Sequence, residues 1–356
     1  MTTTRPDAIH DALERLSAYR FVEGEGLACH GPMAAEALSS LGYDDHVGAW
    51  IDRYTAHHPP VEAPPEVERI DADASGSWRP ALGNFARASD WDALFRRQLD
   101  ERPWPDVLRQ WVPRLMTGYG GGLTHGLLRT AHAVRAIPPG EDPSRLLLDE
   151  LARGLASWAA WYTPLPGEPH LRGPLDLPPA LERVPRPRTG WTPIEAGTFS
   201  RIDELDGFPA AVEALGPPAD PGEGLSDLSS AFCRAFVQHR DAFPIGLVHS
   251  VTPIAAVRVL LAHVQTLPVE TAYARLWQVG AALVAGFAPA PPTAGHRPEE
   301  NSPSTSTPAE LAARAAAHPD PHVVKFTEAC LREHAVRPDP IYLTAADDLI
   351  GRLPSP

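Results

Sequence analysis

Apolar residues recur at three- and four-residue intervals through most of this chain, the period of a helix that buries one face. The spacing predicts helices over 7–20, 32–41, 44–57, 90–100, 104–116, 123–136, 143–162, 224–239, 252–266, 269–287, 308–317, 321–335 and 343–352. No segment offers four or more residues of clean period-two alternation rich in Val, Ile or Thr, so strands are not expected. The forty-one prolines fall mostly between the helical segments, where proline ends a helix or occupies its first turn. Residues 163–223 are rich in Pro and Gly and are expected to hold one or two short helices at most. The stretch 288–307, running from Ala-Pro-Ala-Pro-Pro to Ser-Thr-Ser-Thr-Pro, reads as a flexible surface loop. No repeat of fixed period is present. The expected fold is all-α: a single large helical domain over residues 1–356, with a Pro/Gly-rich insertion at 163–223 and long Pro-rich loops.

Composition narrows the function classes. A formal net charge of −14 argues against a nucleic-acid partner, which needs a basic face, and against an anionic membrane surface. The longest apolar run, Leu276 to Ala290, contains Gln278 and is too short to span a bilayer. The first residues lead into an amphipathic helix pattern and lack the apolar core of a signal peptide. Cys29, Cys233 and Cys330 are too few and too scattered for a disulfide framework. A reducing cytoplasm is the expected location.

One basic residue stands apart. Lys325 is the sole lysine; the thirty other basic side chains are arginines. Where a bare positive charge suffices, this chain uses arginine, so the retained lysine points to something a guanidinium cannot do. An amine can lose its proton and act as a nucleophile, whereas a guanidinium stays protonated. His322 precedes Lys325 by three residues, which puts both on one helix face. The alternative is a surface ion pair between Lys325 and Glu328.

The fifteen histidines divide into two kinds. His10, His46, His57, His58, His170 and His296 lie in polar or Pro-rich surroundings and are expected on the surface. Four others sit at or near expected helix starts among apolar or small residues. His30 precedes Pro32, which is suited to the first turn of a helix. His125 follows three glycines that permit close approach of another backbone or a ligand, and His132 recurs two turns later on the same stripe. His249 directly precedes a helix expected to be capped by Thr252 and begun by Pro253. His322 follows Pro321, with Asp320 as the expected cap. Taken singly, each is more often a hydrogen-bonded structural histidine than a ligand, and no His-x-His, His-Glu-x-x-His or Cys-x-x-Cys is present.

These segments together resemble the questin oxidase-like family, which acts on aromatic polyketides. The matching pieces are His-Gly-Pro-Met with Ala-Leu-x-x-Leu-Gly at 37–42, Gly-Leu-Thr-His-Gly-Leu-Leu-Arg, Leu-Val-His-Ser-Val-Thr, and His-Val-Val-Lys-Phe-Thr-Glu-Ala. They occur in that order from about residue 20 to 335. The resemblance implies a helical, mononuclear non-haem iron oxygenase whose metal is held by four histidines and a carboxylated lysine. Carried onto this chain, the ligands are His30, His125, His249, His322 and Lys325, the cofactor is Fe2+ with a carbon dioxide-derived carbamate on Lys325, and dioxygen is the co-substrate.

The chemistry agrees with that transfer. A free lysine is neutral only ~0.04% of the time at pH 7, and burial beside a cation raises that fraction. Imidazoles with one oxygen anion suit iron better than magnesium or calcium. With a single position left, the organic substrate is expected beside the metal, unligated, in an aromatic-rich pocket drawn from Trp50, Trp91, Trp104, Trp111, Trp158, Trp161 and Phe243. His132 is a candidate to orient substrate or shuttle a proton, with a structural role as the alternative. The expected reaction is oxidative carbon–carbon cleavage of a quinone-type aromatic. Baeyer–Villiger-like oxygen insertion, a two-metal hydrolase and a non-enzymatic helical binding protein are the competing readings.

Overall fold

Four helices distant in sequence meet at the centre of the molecule, and the rest of the chain is arranged around them. The computed structural model describes residues 4–354 apart from 25, 189, 240–241 and 289–302. The described residues form seventeen α-helices and one two-stranded hairpin, as the period of the apolar residues predicts. At the N-terminus, α1 (Arg5–Arg15), α2 (Gly31–Ser40) and α3 (Asp44–His57) pack on one another around Trp50, Ile51 and Leu38. The antiparallel hairpin β1 (Val22–Glu23) and β2 (Leu27–Ala28) joins α1 to α2. Two residues per strand are too few to leave a period-two signal.

A short α4 (Ser75–Trp78) leads to α5 (Ala88–Glu101), α6 (Trp104–Leu115), α7 (His125–Ala136) and α8 (Arg145–Ala160). α7 lies along α8, and α5 covers the other side of α8. Their packing is set by glycine. A Cβ on Gly126 would stand 2.3 Å from Trp158 Cα, and one on Gly121 would stand 1.5 Å from the Trp161 carbonyl oxygen. The three glycines before His125 therefore admit the backbone at the end of α8, which brings the start of α7 into the interior.

The segment 163–223 is more helical than expected. It contains α9 (Leu177–Arg183), α10 (Pro193–Thr198) and α11 (Phe208–Glu213). Each carries a proline in its first two positions, and α10 has a full capping box between Thr192 and Glu195. Thr-Pro-Ile-Glu is a legible start signal, outweighed in the reading of the sequence by the proline content around it.

The C-terminal half holds α12 (Pro221–Gln238), α13 (Pro244–Leu261), α14 (Val269–Phe287), α15 (Pro308–Ala317), α16 (Pro321–Val336) and α17 (Pro340–Arg352). The loop expected at 288–307 falls largely outside the described residues, as does His296. Its last residues are described: the Ser304 hydroxyl donates to Asp347 at 2.6 Å.

One helix start is corrected. The helix expected from 252 begins at Pro244, so His249 lies in its second turn and not before its mouth. Pro253 is an interior proline, and Thr252 donates its hydroxyl to the Val248 carbonyl (3.1 Å) instead of capping. An interior proline costs about 3 kcal/mol. Here α13 is apolar on every side and buried almost throughout, and its packing offsets that cost.

The helices α2, α7, α13 and α16 form the centre, each packing against at least two of the others. Replacing Gly126 with Ala is expected to lower the unfolding free energy by about 1–3 kcal/mol, because a packed backbone must move to admit the methyl group. Gly76→Ala, whose Cβ would meet nothing within 4 Å, is expected to leave stability unchanged or slightly raised. Urea titrations of the two variants check this; equal midpoints would show that the α7–α8 contact tolerates a side chain.

Candidate metal centre

Each central helix delivers one histidine from near its N-terminus. His30 is the residue before the first turn of α2, His125 opens α7, His249 lies in the second turn of α13, and His322 is the second residue of α16. The rings converge. Centroids of His30 lie 4.6 Å from those of both His125 and His322, and His249 lies 4.7 Å from His125. One ring nitrogen each of His30, His125 and His322 falls within 4.8 Å of the others. The structure thus brings together all four histidines singled out from the sequence, from positions as far apart as 30 and 322.

The outer nitrogens are spoken for. His125 Nδ1 lies 2.7 Å from the Gly122 carbonyl, which can only accept, so this nitrogen carries the hydrogen. His322 Nδ1 is 3.0 Å from Asp320 Oδ1, and the same oxygen accepts from the His322 backbone N–H at 2.7 Å. A neutral imidazole has one N–H, so the Nε2 atoms of His125 and His322 present bare lone pairs inward. His30 Nε2 stands 2.9 Å from the first and 3.1 Å from the second. It can donate one hydrogen to one of them, and the remaining approach is lone pair against lone pair. A cation at the point of convergence removes that repulsion. Outer nitrogens fixed by carbonyls and carboxylates are the usual support of metal-bound histidine.

Two of the inner spacings can be compared with the edges of a coordination shell. With metal–nitrogen bonds of about 2.1 Å, two ligands on a tetrahedral edge stand about 3.4 Å apart and two on an octahedral edge about 3.0 Å. The observed 2.9 and 3.1 Å match the octahedral edge. His249 stands beside these three: its Nδ1 lies 3.1 Å from Thr124 Oγ1, and its Nε2 is buried without a hydrogen-bond partner among the described residues. The backbone bends to supply Thr124. Gly122, Leu123 and Thr124 have φ of 56°, 51° and 64°, a left-handed turn that costs about 1–2 kcal/mol for each residue bearing a side chain. Strain of this kind concentrates where a site needs it.

Lys325 is the fifth member. It is buried, lines the same cleft as His249 and His322, and its Nζ has no hydrogen-bond partner among the described residues. The surface pair with Glu328 does not form, because Glu328 is itself buried and bound to Arg135. Burial pushes the Lys325 ammonium down to about 7, opposed in part by Asp320 and Glu23, so the neutral amine is well populated near neutral pH. Burial, with the Lys325 charge as a further cause, holds His30 and His125 well below the usual imidazole range. His249 is held equally low by burial and by the neighbouring His125, His322 and Lys325, and His322 is lowered less because Asp320 opposes.

Several supporting residues carried no sequence signal. Glu23, buried on the β1 hairpin, lies 3.4 Å from His30 Nδ1 and accepts a short hydrogen bond from Tyr54, whose Oη in turn accepts from the His30 backbone N–H at 2.9 Å. A charged network flanks the other side. Glu36 accepts from Arg135 Nε (2.8 Å) and faces His132 Nδ1 (2.6 Å), and Arg135 also binds Glu328. The sequence offered Glu36, Arg135 and Glu328 as ordinary helix charges; only the packing of α2, α7 and α16 buries them together.

Two expectations are corrected. The cleft beside the cluster is not aromatic. Its apolar walls are Leu128, Ala131, Val248, Ala256, Val259 and Ala329, and none of the seven proposed aromatics lines it. Trp91 and Trp111 pack against Phe95, Trp50 stacks on Tyr54, Trp158 backs Gly126, Trp161 stacks on Phe85, Trp104 meets His263, and Phe243 is partly exposed beside Phe287. Large rings went where interhelical volume had to be filled. The cleft encloses only ≈ 20 Å³, room for about one water. Among the histidines expected on the surface, His46, His57 and His170 are exposed, whereas His10 is half-buried against Ser144 and His58 stacks on Tyr54.

No protein-family model matches this chain, and no curated protein matches it. The likeness to the questin oxidase-like family rests on the four sequence segments alone.

Arg135 tests the electrostatics beside the cluster. Burial would raise the Glu36 and Glu328 carboxyls, but the Arg135 charge overrides it and holds both well below the usual range. Groups depressed in the folded state contribute stability above their unfolded pKa of about 4.3 and lose it as pH falls through the folded value. Arg135→Met leaves two buried carboxylates short of a cation, an expected cost of about 3–5 kcal/mol at neutral pH. The carboxyls then prefer the protonated form when folded, so the deficit against wild type begins to narrow as pH falls through their raised folded pKa, above the unfolded value. It narrows further below the unfolded value as wild type loses its own contribution. Urea midpoints across pH check this; a deficit independent of pH would contradict it.

Proposed function

We propose that this chain is a mononuclear non-haem iron oxygenase of the questin oxidase-like kind, acting with dioxygen on a hydroxylated, quinone-type aromatic and cleaving a carbon–carbon bond. The observation that supports the reading is the convergence of the His30, His125 and His322 Nε2 atoms, 2.9 and 3.1 Å apart, near a buried lysine nitrogen with no hydrogen-bond partner among the described residues. His30, His125, His249 and His322 would hold the metal as neutral ligands. Iron at that point supplies redox activation of dioxygen.

Lys325 supplies the anion. Its neutral Nζ attacks the carbon of carbon dioxide; the N–C bond forms, one C–O π pair moves to oxygen, and a proton leaves nitrogen for solvent. The carbamate so formed would give Lys325 an anionic oxygen donor that the amine itself lacks. The start of α16, whose free N–H groups carry partial positive charge, favours that anion over an ammonium. An arginine at this position cannot take the same step.

The protein purified without added metal is expected to contain about one iron per chain, and His249→Ala is expected to lose most of it. Lys325→Arg should be as damaging to iron content as Lys325→Ala, although it conserves charge. A carbonyl-range 13C resonance from labelled carbon dioxide, present in wild type and absent from Lys325→Arg, is the direct readout. Full iron content in Lys325→Arg would end the carbamate reading, and two zincs per chain would replace the iron reading with a hydrolytic one.

A further inference from the structure

Next to the proposed ligands stands one histidine whose geometry is that of a base. His132 follows His125 by two turns on α7 and lines the same cleft as His249, His322 and Lys325. Its Nδ1 lies 2.6 Å from Glu36 Oε2. Glu36 cannot donate there, because it is an ionised acceptor for Arg135 Nε (2.8 Å), Arg5 Nη2 (2.6 Å) and Ser40 Oγ (2.7 Å). Arg135 Nη2 also lies 3.4 Å from this nitrogen, but it donates more closely to the same Glu36 Oε2, so the hydrogen between His132 and Glu36 sits on Nδ1, and Nε2 carries the lone pair. No hydrogen bond among the described residues reaches that Nε2. One nitrogen is locked against Glu36, and the other is left open at the cleft.

We propose that His132 is the proton acceptor for an aromatic hydroxyl that enters the cleft, with Glu36 as its positioning residue. This rests on the reading of the neighbouring cluster as a metal centre for a hydroxylated aromatic. In the step, the substrate O–H bond breaks, its electron pair stays on oxygen, and the proton passes to His132 Nε2; no oxidant or reductant is involved. Glu36 stabilises the imidazolium through Nδ1–H, while the opposing charge of Arg135 is shared between Glu36 and Glu328. Arg332 lies farther out, paired with Glu328.

Size and acidity select the substrate group. The enclosed ≈ 20 Å³ admits about one hydroxyl, so the ring itself stands in the mouth between α7, α13 and α16. A phenol ionises about 3.5 pKa units above a free imidazole, and burial lowers His132 further against the opposing pull of Glu36. The base therefore suits an acidified phenol, whereas an unactivated alcohol lies near water at about 15.7. The phenolate so produced is the more electron-rich form of the ring.

The test uses the full chain loaded with Zn2+, which has no redox chemistry, and 4-nitrophenol, whose neutral and ionised forms absorb at different wavelengths. At a pH well below the probe's own ionisation, wild type is expected to bind it as the phenolate. His132→Gln keeps a donor toward Glu36 but offers no base, and is expected to bind the probe mainly neutral, with the ionised fraction reduced about tenfold or more. Glu36→Gln is expected to fall between, and Glu36→Asp to recover toward wild type. Metal content is measured on every sample. Equal ionisation by His132→Gln overturns the proposal, and so does failure of metal-loaded wild type to bind the probe. Loss of zinc from His132→Gln overturns it too, since that marks a structural role. A wild-type chain that takes up no metal fails at the earlier step, and the zinc measurement distinguishes that failure.

Discussion

Everything at the centre of this molecule depends on one electrostatic constraint: several neutral imidazoles are held with their lone pairs facing one another. Each ring is fixed from behind. A carbonyl holds His125, a carboxylate holds His322, a threonine hydroxyl meets His249, and Glu23 lies behind His30. These contacts set the direction of every Nε2. Without something between them the inner atoms repel, and burial prevents relief by protonation. A cation at that point would relieve the repulsion, and the surrounding fold is what brings the four helix starts together.

Two further features follow from that requirement. The left-handed turn at 122–124 is costly by itself, yet it both opens α7 at His125 and places Thr124 against His249. The glycines before it let the end of α8 press against the same turn. On the far side, the buried ion network of Glu36, Arg135 and Glu328 ties α2, α7 and α16 together. Such a network contributes little net stability against an apolar alternative. Its value here is positional: it fixes the mutual placement of three helices that each carry a proposed ligand, and it orients His132 at the cleft.

The disposition of aromatic residues separates packing from chemistry. Nine tryptophans in a chain proposed to bind an aromatic invite the idea of an aromatic pocket. The observed cleft has aliphatic walls, while the tryptophans fill the spaces between helices, Trp50 donating to the His318 carbonyl at 2.9 Å and Trp91 to the Ala81 carbonyl at 3.1 Å. Small and aliphatic side chains near the cluster keep α7, α13 and α16 close, and that closeness holds the histidines in range of one another.

The sequence by itself determined the all-helical class, because the three- and four-residue period is a local property that survives without knowledge of neighbours. It also singled out Lys325 by composition and the four histidines by their setting among small residues and prolines. It placed the start of the His249 helix wrongly, since Thr252-Pro253 has the local form of a helix start and only burial on all sides makes an interior proline tolerable. Glu23, Tyr54 and Thr124 had no signal at all; a carboxylate on a two-residue strand looks like any surface charge until the hairpin folds under His30. Tertiary structure alone decided which nitrogens face inward, that Glu328 binds Arg135 and not Lys325, and that the cleft is narrow and aliphatic. The physical reason is common to all three: each is a relation between elements tens to hundreds of residues apart, fixed by how their faces pack, and no local pattern encodes it.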